Sequence, residues 1–390
     1  MKKNVVAMAT GIALFAAMLT GCGSGDSSSE EESTEVTEES SETEEVTETE
    51  ETQEEEEASS EEESEETTQE DSAESSVYTV GIVQYMDHAS LNQIAEYLEK
   101  GLDEKGEELG VTFEYADYIV NGQGDSSVIT QGLAQLKDDG VDVVVCIATP
   151  TATAAQSTFE DTDTPIIFSA VTDPVGAGLV DSMEEPGGNI TGTSDALNTE
   201  TIMNLIFAQD PEADKIGLLY STSEDSSIQA IADAKAYLDE NGIEYVEKTG
   251  TSTTEVSQAV DALISEGVDA IFTPTDNTVM SAELSIYEKL IEAGIPHYTG
   301  ADSFALNGAF LGFGVSYSEL GLETAEIVAD VLYDGADPST YSVVTLDNGI
   351  ATINTETAEA LGYDLDATRE AFEPYCSDIV ETTTAEEFEE

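Results

Sequence analysis

The fold is decided by the stretch Gly140-Val141-Asp142-Val143-Val144-Val145-Cys146-Ile147-Ala148-Thr149-Pro150. Its unbroken β-branched run predicts a strand in the middle of a parallel sheet that is covered on both faces. A second stretch, Gly267-Val268-Asp269-Ala270-Ile271-Phe272-Thr273-Pro274, repeats the same order of glycine, valine, aspartate, apolar run and Thr-Pro. A repeat of this kind predicts two similar halves.

The residues around the first stretch alternate between strand and helix patterns. We predict strands at 79–83, 112–115, 141–147 and 165–169, and helices at 91–109, 127–138 and 151–159. Val80-Gly81-Ile82-Val83 has a counterpart in Ile216-Gly217-Leu218-Leu219, and the order of the repeated segments is preserved. Strand, helix and strand at this spacing predict a doubly wound parallel sheet in each half.

Two lobes require connections between them. We place these in the segment 189–193, which is rich in glycine and threonine, and in the segment 310–315, which has Gly308, Gly312 and Gly314 in or beside it. A helix at 319–332 has no counterpart in the second half, so we expect it to return to the first lobe. The prediction is an α/β protein with two doubly wound parallel-sheet lobes and a three-segment hinge. Lobe I comprises 77–192 and 316–345, and lobe II comprises 193–315 and 346–390.

The amino terminus has the pattern of a leader sequence. Lys2-Lys3 precedes an apolar run at 5–19 and then Leu19-Thr20-Gly21-Cys22, which predicts a signal peptide at 1–21 rather than an uncleaved anchor helix. The Leu-Thr-Gly-Cys order resembles the lipobox of bacterial lipoproteins, which implies cleavage before Cys22 and lipid on its sulfur. The segment 22–76 follows, with 25 acidic and no basic residues between Asp26 and Ser76. We expect it to be a disordered linker that holds the lobes near the cell membrane.

Charge excludes some partners and ligands. The chain has 85 acidic against 10 basic residues, a net charge of −75, and this excludes nucleic acid as a partner. Arg369 is the single arginine, and no lysine lies in a predicted strand-end turn, so a phosphate or dicarboxylate ligand is disfavoured. A ligand with an ammonium group fits better, and Asp195 or Asp276 would be its counter-ion.

Ligands of open α/β sheets bind beyond the carboxyl ends of the strands, so we take the polar residues of these turns as the candidate ligand-binding site. Helix starts there offer N–H groups to a carboxylate, although the same residue types also serve as ordinary N-caps. The aromatic residues Tyr85, Phe168, Tyr220 and Phe304 would either enclose an apolar ligand group or pack in the core. The candidates are Gln84, Tyr85, Thr149, Thr151, Thr172, Asp173, Ser194, Asp195, Ser223, Ser226, Asp276, Asn277 and Thr278.

Catalysis finds little support in the sequence. His88 follows the first strand, where it would contact a ligand or cap a helix, and we expect His297 to be a hydrogen-bonded core residue. No nucleophile elbow, metal-ligand spacing or dinucleotide loop is present, so we expect neither an enzyme nor a cofactor nor a metal site. Cys146 and Cys376 are more simply inert thiols than a disulfide pair.

Five segments together carry a family resemblance. The segments are Gly81-Ile82-Val83-Gln84 with His88, Ile147-Ala148-Thr149-Pro150, the run from Phe168 to Val175 with Gly178-Leu179-Val180, Pro186-Gly187-Gly188-Asn189-Ile190-Thr191-Gly192 with Ser194-Asp195, and Thr275-Asp276-Asn277-Thr278. Together they resemble the tryptophan/tyrosine-type solute-binding lipoproteins of bacterial ABC importers, and the resemblance runs from about residue 77 to residue 363.

The resemblance implies a type I periplasmic-binding-protein fold. It also implies that a monomer captures a free amino acid, often aromatic, by hinge closure and delivers it to an ABC permease. One alternative is a ligand-sensing lipoprotein of the same fold that binds a sugar, nucleoside or other small molecule and signals to a membrane partner. Another is a lipid-anchored hydrolase or isomerase with its active site in the cleft.

Overall fold

The structure is a computed structural model that describes residues 76–346 and 349–388. The described part belongs to one compact unit, Asp71–Glu390. The predicted signal peptide, the lipidation of Cys22 and the acidic linker up to residue 75 lie outside the described residues. No helix within the described ranges is long and apolar enough to cross a membrane.

The first lobe is built on a sheet whose strands are all parallel. Its spatial order is β12-β6-β5-β4-β1-β2, and β3 pairs with β1 beyond the end of β2. The strands are β1 Val77–Gln84, β2 Thr112–Glu114, β3 Ile119–Asn121, β4 Val143–Ile147, β5 Ile166–Ser169, β6 Ile190–Ser194 and β12 Val344–Thr345. Every residue of β4 is buried, as its uniformly apolar sequence predicts.

The second lobe repeats this plan in the order β14-β13-β11-β10-β9-β7-β8. Its strands are parallel except that β13 runs antiparallel to β11. The strands are β7 Lys215–Tyr220, β8 Glu244–Thr249, β9 Ala270–Thr273, β10 His297–Thr299, β11 Leu311–Gly314, β13 Ile350–Asn354 and β14 Asp378–Thr382. The two-lobed α/β architecture with parallel sheets is therefore confirmed.

Helices cover both sheets. In lobe I they are α1 Ala89–Leu109, α2 Ser126–Asp139, α3 Thr149–Thr158 and α10 Tyr317–Ala329, which continues into a π-helical turn at Asp330–Asp334. In lobe II they are α4 Thr199–Gln209, α5 Asp225–Asn241, α6 Thr253–Glu266, α7 Asn277–Met280, α8 Glu283–Ala293, α9 Asp302–Leu306, α11 Thr355–Leu361 and α12 Leu365–Phe372.

Helix α10 returns to lobe I and packs closely along α1. Two glycines allow the close approach, because a Cβ on Gly101 would lie 2.6 Å from the Cβ of Ala325 and one on Gly321 would lie 2.6 Å from the carbonyl oxygen of Ile94. The extra helix that the sequence assigns to lobe I is therefore held there by backbone contact.

The predicted connections 189–193 and 310–315 are wrong in detail, because most of each segment is a strand, β6 and β11. Their glycines serve close packing: a Cβ on Gly192 would lie 1.9 Å from the carbonyl oxygen of Phe168, and one on Gly312 2.2 Å from that of Ala301. Since β6 extends to Ser194, residues 193 and 194 belong to the first sheet. The chain crosses between the lobes after β6, after β11 and after β12.

Candidate ligand-binding site

A cleft between the lobes encloses a cavity of about 30 Å³. On the lobe I side it is lined by the starts of α1, α3 and α10 and the turns after β5 and β6. On the lobe II side it is lined by the starts of α5, α7 and α9. The carboxyl ends of the parallel strands of both sheets therefore face one another across this cavity, as expected for doubly wound sheets.

The cavity brings together part of the predicted site. These residues come from both lobes, and their contact with a ligand stays a prediction. They are Thr149, Thr172, Asp195, Ser226, Asp276 and Asn277.

Other predicted residues serve the turns instead. Gln84 is buried and its Nε2 donates to the carbonyl of Met86 at 2.8 Å and to Asn92 Oδ1 at 2.7 Å, so it braces the connection from β1 to α1. Thr151 Oγ1 donates to the carbonyls of Ile147 and Ala148 at 2.9 and 2.7 Å. The hydrogen bonds of these two side chains stay within their own turns, and neither residue lines the cavity.

The remaining candidates lie around the cavity rather than in it. Asp173 Oδ1 accepts from the Gly176 N–H at 2.8 Å. Ser194 Oγ donates to the Thr172 carbonyl at 3.4 Å, and Thr278 Oγ1 donates to Glu224 Oε1 at 3.1 Å. The outer groove at the start of α3 is lined in part by Ser223.

Tyr85 is half-buried beside lobe II. Burial and the nearby carboxylates of Glu224 and Asp276 raise the pKa of its hydroxyl to about 12. It therefore contributes a neutral phenol next to the cleft at physiological pH.

Two helix starts in the cleft lack their usual caps. Among the helices of 76–346 and 349–388, only α1 and α3 have neither a capping side-chain hydrogen bond nor an acidic residue in the first turn. Both begin at the cavity, α1 with Ser90 and Leu91 and α3 with Thr149. Helix starts carry orphan N–H groups and partial positive charge, so this side of the cleft suits an anionic group such as a carboxylate. Most of these N–H groups belong to α1, because Pro150 in the first turn of α3 has none and the Thr151 N–H already donates to the Ala148 carbonyl.

The start of α3 is also strained. Ala148, its N-cap residue, has φ 80° and ψ 154°, and Ala170 after β5 has φ 55°. Both conformations are unusual for a residue with a Cβ and cost on the order of 1–3 kcal/mol each. Both alanines line the cavity, so the strain lies at the place where the strand ends face the other lobe.

Asp195 is a buried carboxylate at the cavity. Its Oδ1 accepts from Thr172 Oγ1 at 2.9 Å and its Oδ2 from the Tyr317 hydroxyl at 3.1 Å. Burial raises the pKa of Asp195, and no lysine or arginine lies among the residues that line the cavity. The site therefore offers a negative charge whose positive partner would have to come from a ligand.

Asp276 has a different role. Its Oδ2 accepts from the Ser221 N–H and from Ser227 Oγ, each at 2.7 Å, and its Oδ1 accepts from the Val279 N–H at 2.9 Å. The carboxylate is thus the N-cap of α7 and ties this helix to the start of α5. Burial raises the pKa of Asp276. Because Asp276 already accepts three hydrogen bonds within lobe II, it has less capacity than Asp195 to accept one from a ligand.

The lobes contact each other directly across the cleft. Three side-chain pairs cross it beside the cavity: His88 with Asn277 at 3.0 Å, Thr172 with Thr275 at 3.0 Å, and Ser90 with Ser303. Farther out, Ser281 Oγ donates to Met86 Sδ at 3.3 Å and Asn92 Nδ2 donates to Glu387 Oε1 at 3.1 Å. These side-chain contacts join the two lobes across the cleft on several sides of the cavity.

Several lining residues were not among the sequence candidates. Tyr317 begins α10 directly after the second crossing, and the helix pattern at 319–332 contained no signal that would place it at the cleft. Ser90 and Ser303 read as ordinary helix-start residues. Among the aromatic residues weighed for the pocket, Phe304 lines the cavity, Phe168 is fully buried, and Tyr220 donates its hydroxyl to Glu247 at 2.9 Å.

The remaining reactive side chains lie in the structural parts of the lobes. His297 is a core residue, as predicted, with Nδ1 3.1 Å from Glu283 Oε1 and Nε2 2.8 Å from Thr273 Oγ1. Cys146 and Cys376 are free thiols, and burial raises the pKa of each. Within the described residues, no group of three or more histidine, cysteine, aspartate or glutamate side chains is arranged to hold a metal ion.

Comparison with known proteins gives the cleft its context. The family model of the ABC transporter substrate-binding proteins matches residues 79–368. A tyrosine-binding protein of Clostridioides difficile is 34% identical over 282 residues, which cover 72% of this chain and 80% of the relative.

Two solved structures share the fold. A Streptococcus domain in complex with L-Trp has a TM-score of 0.70 and 32% identity over 78% of this chain and 100% of that one. A ligand-free, open substrate-binding protein with adhesive properties from Clostridium difficile has a TM-score of 0.60 and 30% identity over 79% of this chain and 100% of that one. The fold is of the type I periplasmic-binding-protein kind, and the chain belongs to the family of ABC transporter substrate-binding proteins, which are solute-binding proteins and not a class of enzymes.

Proposed function

We propose that this chain is the extracytoplasmic solute-binding component of an ABC importer, and that it captures a free aromatic amino acid in the interlobe cleft and delivers it to a membrane permease. The observation that carries the proposal is the pairing of two uncapped helix starts with a buried carboxylate in a cleft whose lining has no cation. The helix starts suit a ligand carboxylate, and Asp195 suits a ligand ammonium. A zwitterion carries both groups.

The apolar part of the lining supports a side chain of some size. Leu91, Met280 and Phe304 line the cavity together with the polar groups, which is the mixture expected of a site for an amphipathic small molecule. The names of the relatives agree, since one is called tyrosine-binding and another contains L-Trp.

We infer that ligand entry requires the lobes to move apart. A cavity of about 30 Å³ is far below the several hundred Å³ typical of small-molecule sites. The contacts that close it are polar side-chain pairs, which exchange readily with water. The fold also matches the L-Trp complex with a TM-score of 0.70 and the open, ligand-free relative with one of 0.60, at nearly equal identity. Closure around a ligand would then present one joint surface of both lobes to the permease.

The proposal includes a lipid anchor at Cys22 and no catalytic activity. The acidic segment that follows Cys22 would act as a tether, so that the binding lobes stay close to the permease without lying on the membrane.

A thermal-shift screen tests the ligand class. The purified protein is melted with each of the twenty amino acids and with a panel of sugars and nucleosides. A ligand at 100 times its dissociation constant adds about 2.7 kcal/mol to the free energy of unfolding and raises the melting temperature by several degrees. We expect L-tyrosine, L-tryptophan or L-phenylalanine to give the largest shift. A shift with a sugar or nucleoside and with no amino acid would favour the sensing alternative.

A further inference from the structure

One polar atom of the cavity lining has no partner. His88 lies at the start of α1, and its Nε2 is 3.0 Å from Asn277 Oδ1 in the other lobe. Its Nδ1 is buried and makes no hydrogen bond. His88 itself is one of the residues that line the cavity.

The protonation of the ring follows from the neighbouring contacts. Glu224 accepts from Thr278 Oγ1 at 3.1 Å and from Asn277 Nδ2 at 3.0 Å. An ionised carboxylate can only accept, so the amide nitrogen of Asn277 faces Glu224 and the amide oxygen faces His88. The Nε2 of His88 must then carry the hydrogen that this oxygen accepts.

Burial also keeps the imidazole neutral. It lowers the pKa of His88 to about 4, against the raising effects of Asn277 and Asp87. A neutral imidazole has one N–H, and in this ring it is at Nε2. Nδ1 therefore carries a bare lone pair, on a residue that lines the cavity.

We propose that Nδ1 of His88 accepts a hydrogen bond from an N–H or O–H group of the bound ligand, and that Asn277 and Glu224 are positioning residues that fix the imidazole tautomer when the cleft is closed. The inference rests on the proposed function, because it takes the ligand to be an amino acid. The donor is either the ammonium group, common to all amino acids, or the phenol hydroxyl or indole N–H of the side chain. The second case would make His88 a determinant of specificity against phenylalanine.

Nitrogen-15 NMR of labelled histidine reads the tautomer directly, since the chain has two histidines. The spectrum is recorded at pH 8 with L-tyrosine or L-tryptophan at saturation. Burial and the nearby Asp276 raise the pKa of Glu224 to about 7, so Glu224 is ionised at this pH. We expect His88 to be protonated at Nε2 and unprotonated at Nδ1. His297 serves as an internal contrast, because its Nδ1 faces the Glu283 carboxylate at 3.1 Å and should carry a proton. The His88→Gln spectrum assigns the signals.

A protonated Nδ1 on His88 in the saturated protein would overturn the proposal. The Glu224→Gln variant tests the positioning role, since Gln can present either amide atom to Asn277. We expect the fraction of His88 protonated at Nδ1 to rise in this variant. An unchanged tautomer would remove Glu224 and Asn277 from the proposal.

Calorimetry identifies the donor on the ligand. L-tyrosine, L-tryptophan and L-phenylalanine are titrated into wild type, His88→Leu and His88→Gln. We expect the affinity of His88→Leu to fall at least tenfold, and the affinity of His88→Gln to fall less, because the glutamine side chain keeps a hydrogen-bond acceptor. Equal losses for all three ligands identify the ammonium, and a loss restricted to tyrosine and tryptophan identifies the side chain.

If the wild type binds an aromatic amino acid and His88→Leu binds it with the same affinity, the inference about His88 is refuted while the proposed function stands. Wild-type protein that binds none of the three amino acids would refute the proposed function and this inference with it. Melting curves of both variants without ligand check that the fold is intact.

Discussion

The most informative substitution is Asp195→Asn, because it removes the proposed counter-ion and little else. Its two oxygens accept from the hydroxyls of Thr172 and Tyr317 at 2.9 and 3.1 Å. A hydroxyl can turn to accept as well as donate, so both partners can accommodate an amide. The pKa of Asp195 is raised by burial, which means that the folded protein without ligand favours a neutral group at this position. We therefore expect the variant without ligand to melt at the wild-type temperature or above it.

Ligand binding should respond in the opposite direction. A charge-assisted hydrogen bond in a buried site contributes about 1.5–3 kcal/mol, and every 1.4 kcal/mol corresponds to a factor of ten. The loss of Asp195 should therefore weaken the binding of an aromatic amino acid by roughly 10- to 150-fold. Isothermal titration calorimetry measures the affinity, and a melting curve without ligand measures the stability.

Asp276→Asn is the matched comparison. This carboxylate accepts from three donors inside lobe II, two of them backbone N–H groups, so an amide nitrogen in place of Oδ2 would meet another donor. We expect its melting temperature to fall and its affinity to change less than that of Asp195→Asn. An Asp195→Asn variant that binds within twofold of wild type would refute the assignment of Asp195 to the ammonium group.

Three further predictions follow from buried groups outside this pair. Burial raises the pKa of Asp302 to about 7 and its Oδ1 has no partner, so its contribution to stability is present below about pH 4 and is lost as the pH rises to about 7. Asp302→Asn should therefore stabilise the protein by about 4 kcal/mol at pH 8 and hardly at pH 4, since each unit of pKa shift corresponds to about 1.4 kcal/mol. Equal melting shifts at the two pH values would contradict this. Ala148→Gly should raise the free energy of unfolding in urea by about 1 kcal/mol, because glycine adopts φ 80° without strain; a destabilised variant would show that the strain is absent. Alkylation of the native protein should modify Cys376 before Cys146, since Cys146 is fully buried, and mass spectrometry that finds the reverse order would contradict the core packing.

The repeated apolar runs were sufficient to predict the two parallel sheets. The Val143–Ile147 run is buried on both faces, and so is its counterpart Ala270–Thr273. An unbroken apolar strand has no polar face to turn towards solvent, so it predicts a sheet that is covered on both sides. The sequence analysis did not predict the short strands β3 and β14. Strand β3 has only three residues, all exposed or half-buried, and β14 at Asp378–Thr382 mixes polar and apolar residues without a clear alternation. The glycines led us to predict interlobe connections where the chain forms strands. Gly192, for example, lies in β6 and allows close contact with the neighbouring strand at Phe168, so it does not mark a connection.

The site was predicted only at the level of turns. Strand ends identify which turns face the other lobe, and this was enough to predict that Thr149, Thr172 and Asp195 lie at the cleft, where they line the cavity; their contact with a ligand stays a prediction. It could not show the direction of each side chain, so Gln84 and Thr151 were included although they bond to their own turns. Nor could it separate a cap from a ligand contact, because that distinction depends on which donors already surround an acceptor.

Calorimetry with incomplete ligands tests the central claim most directly. Whichever of L-tyrosine and L-tryptophan binds more tightly is compared with the analogue that lacks the carboxylate and with the analogue that lacks the amine. If the cleft holds a zwitterion between the starts of α1 and α3 and the Asp195 carboxylate, each analogue should bind at least ten times more weakly than the amino acid. An analogue that binds as tightly as the complete amino acid would contradict the account.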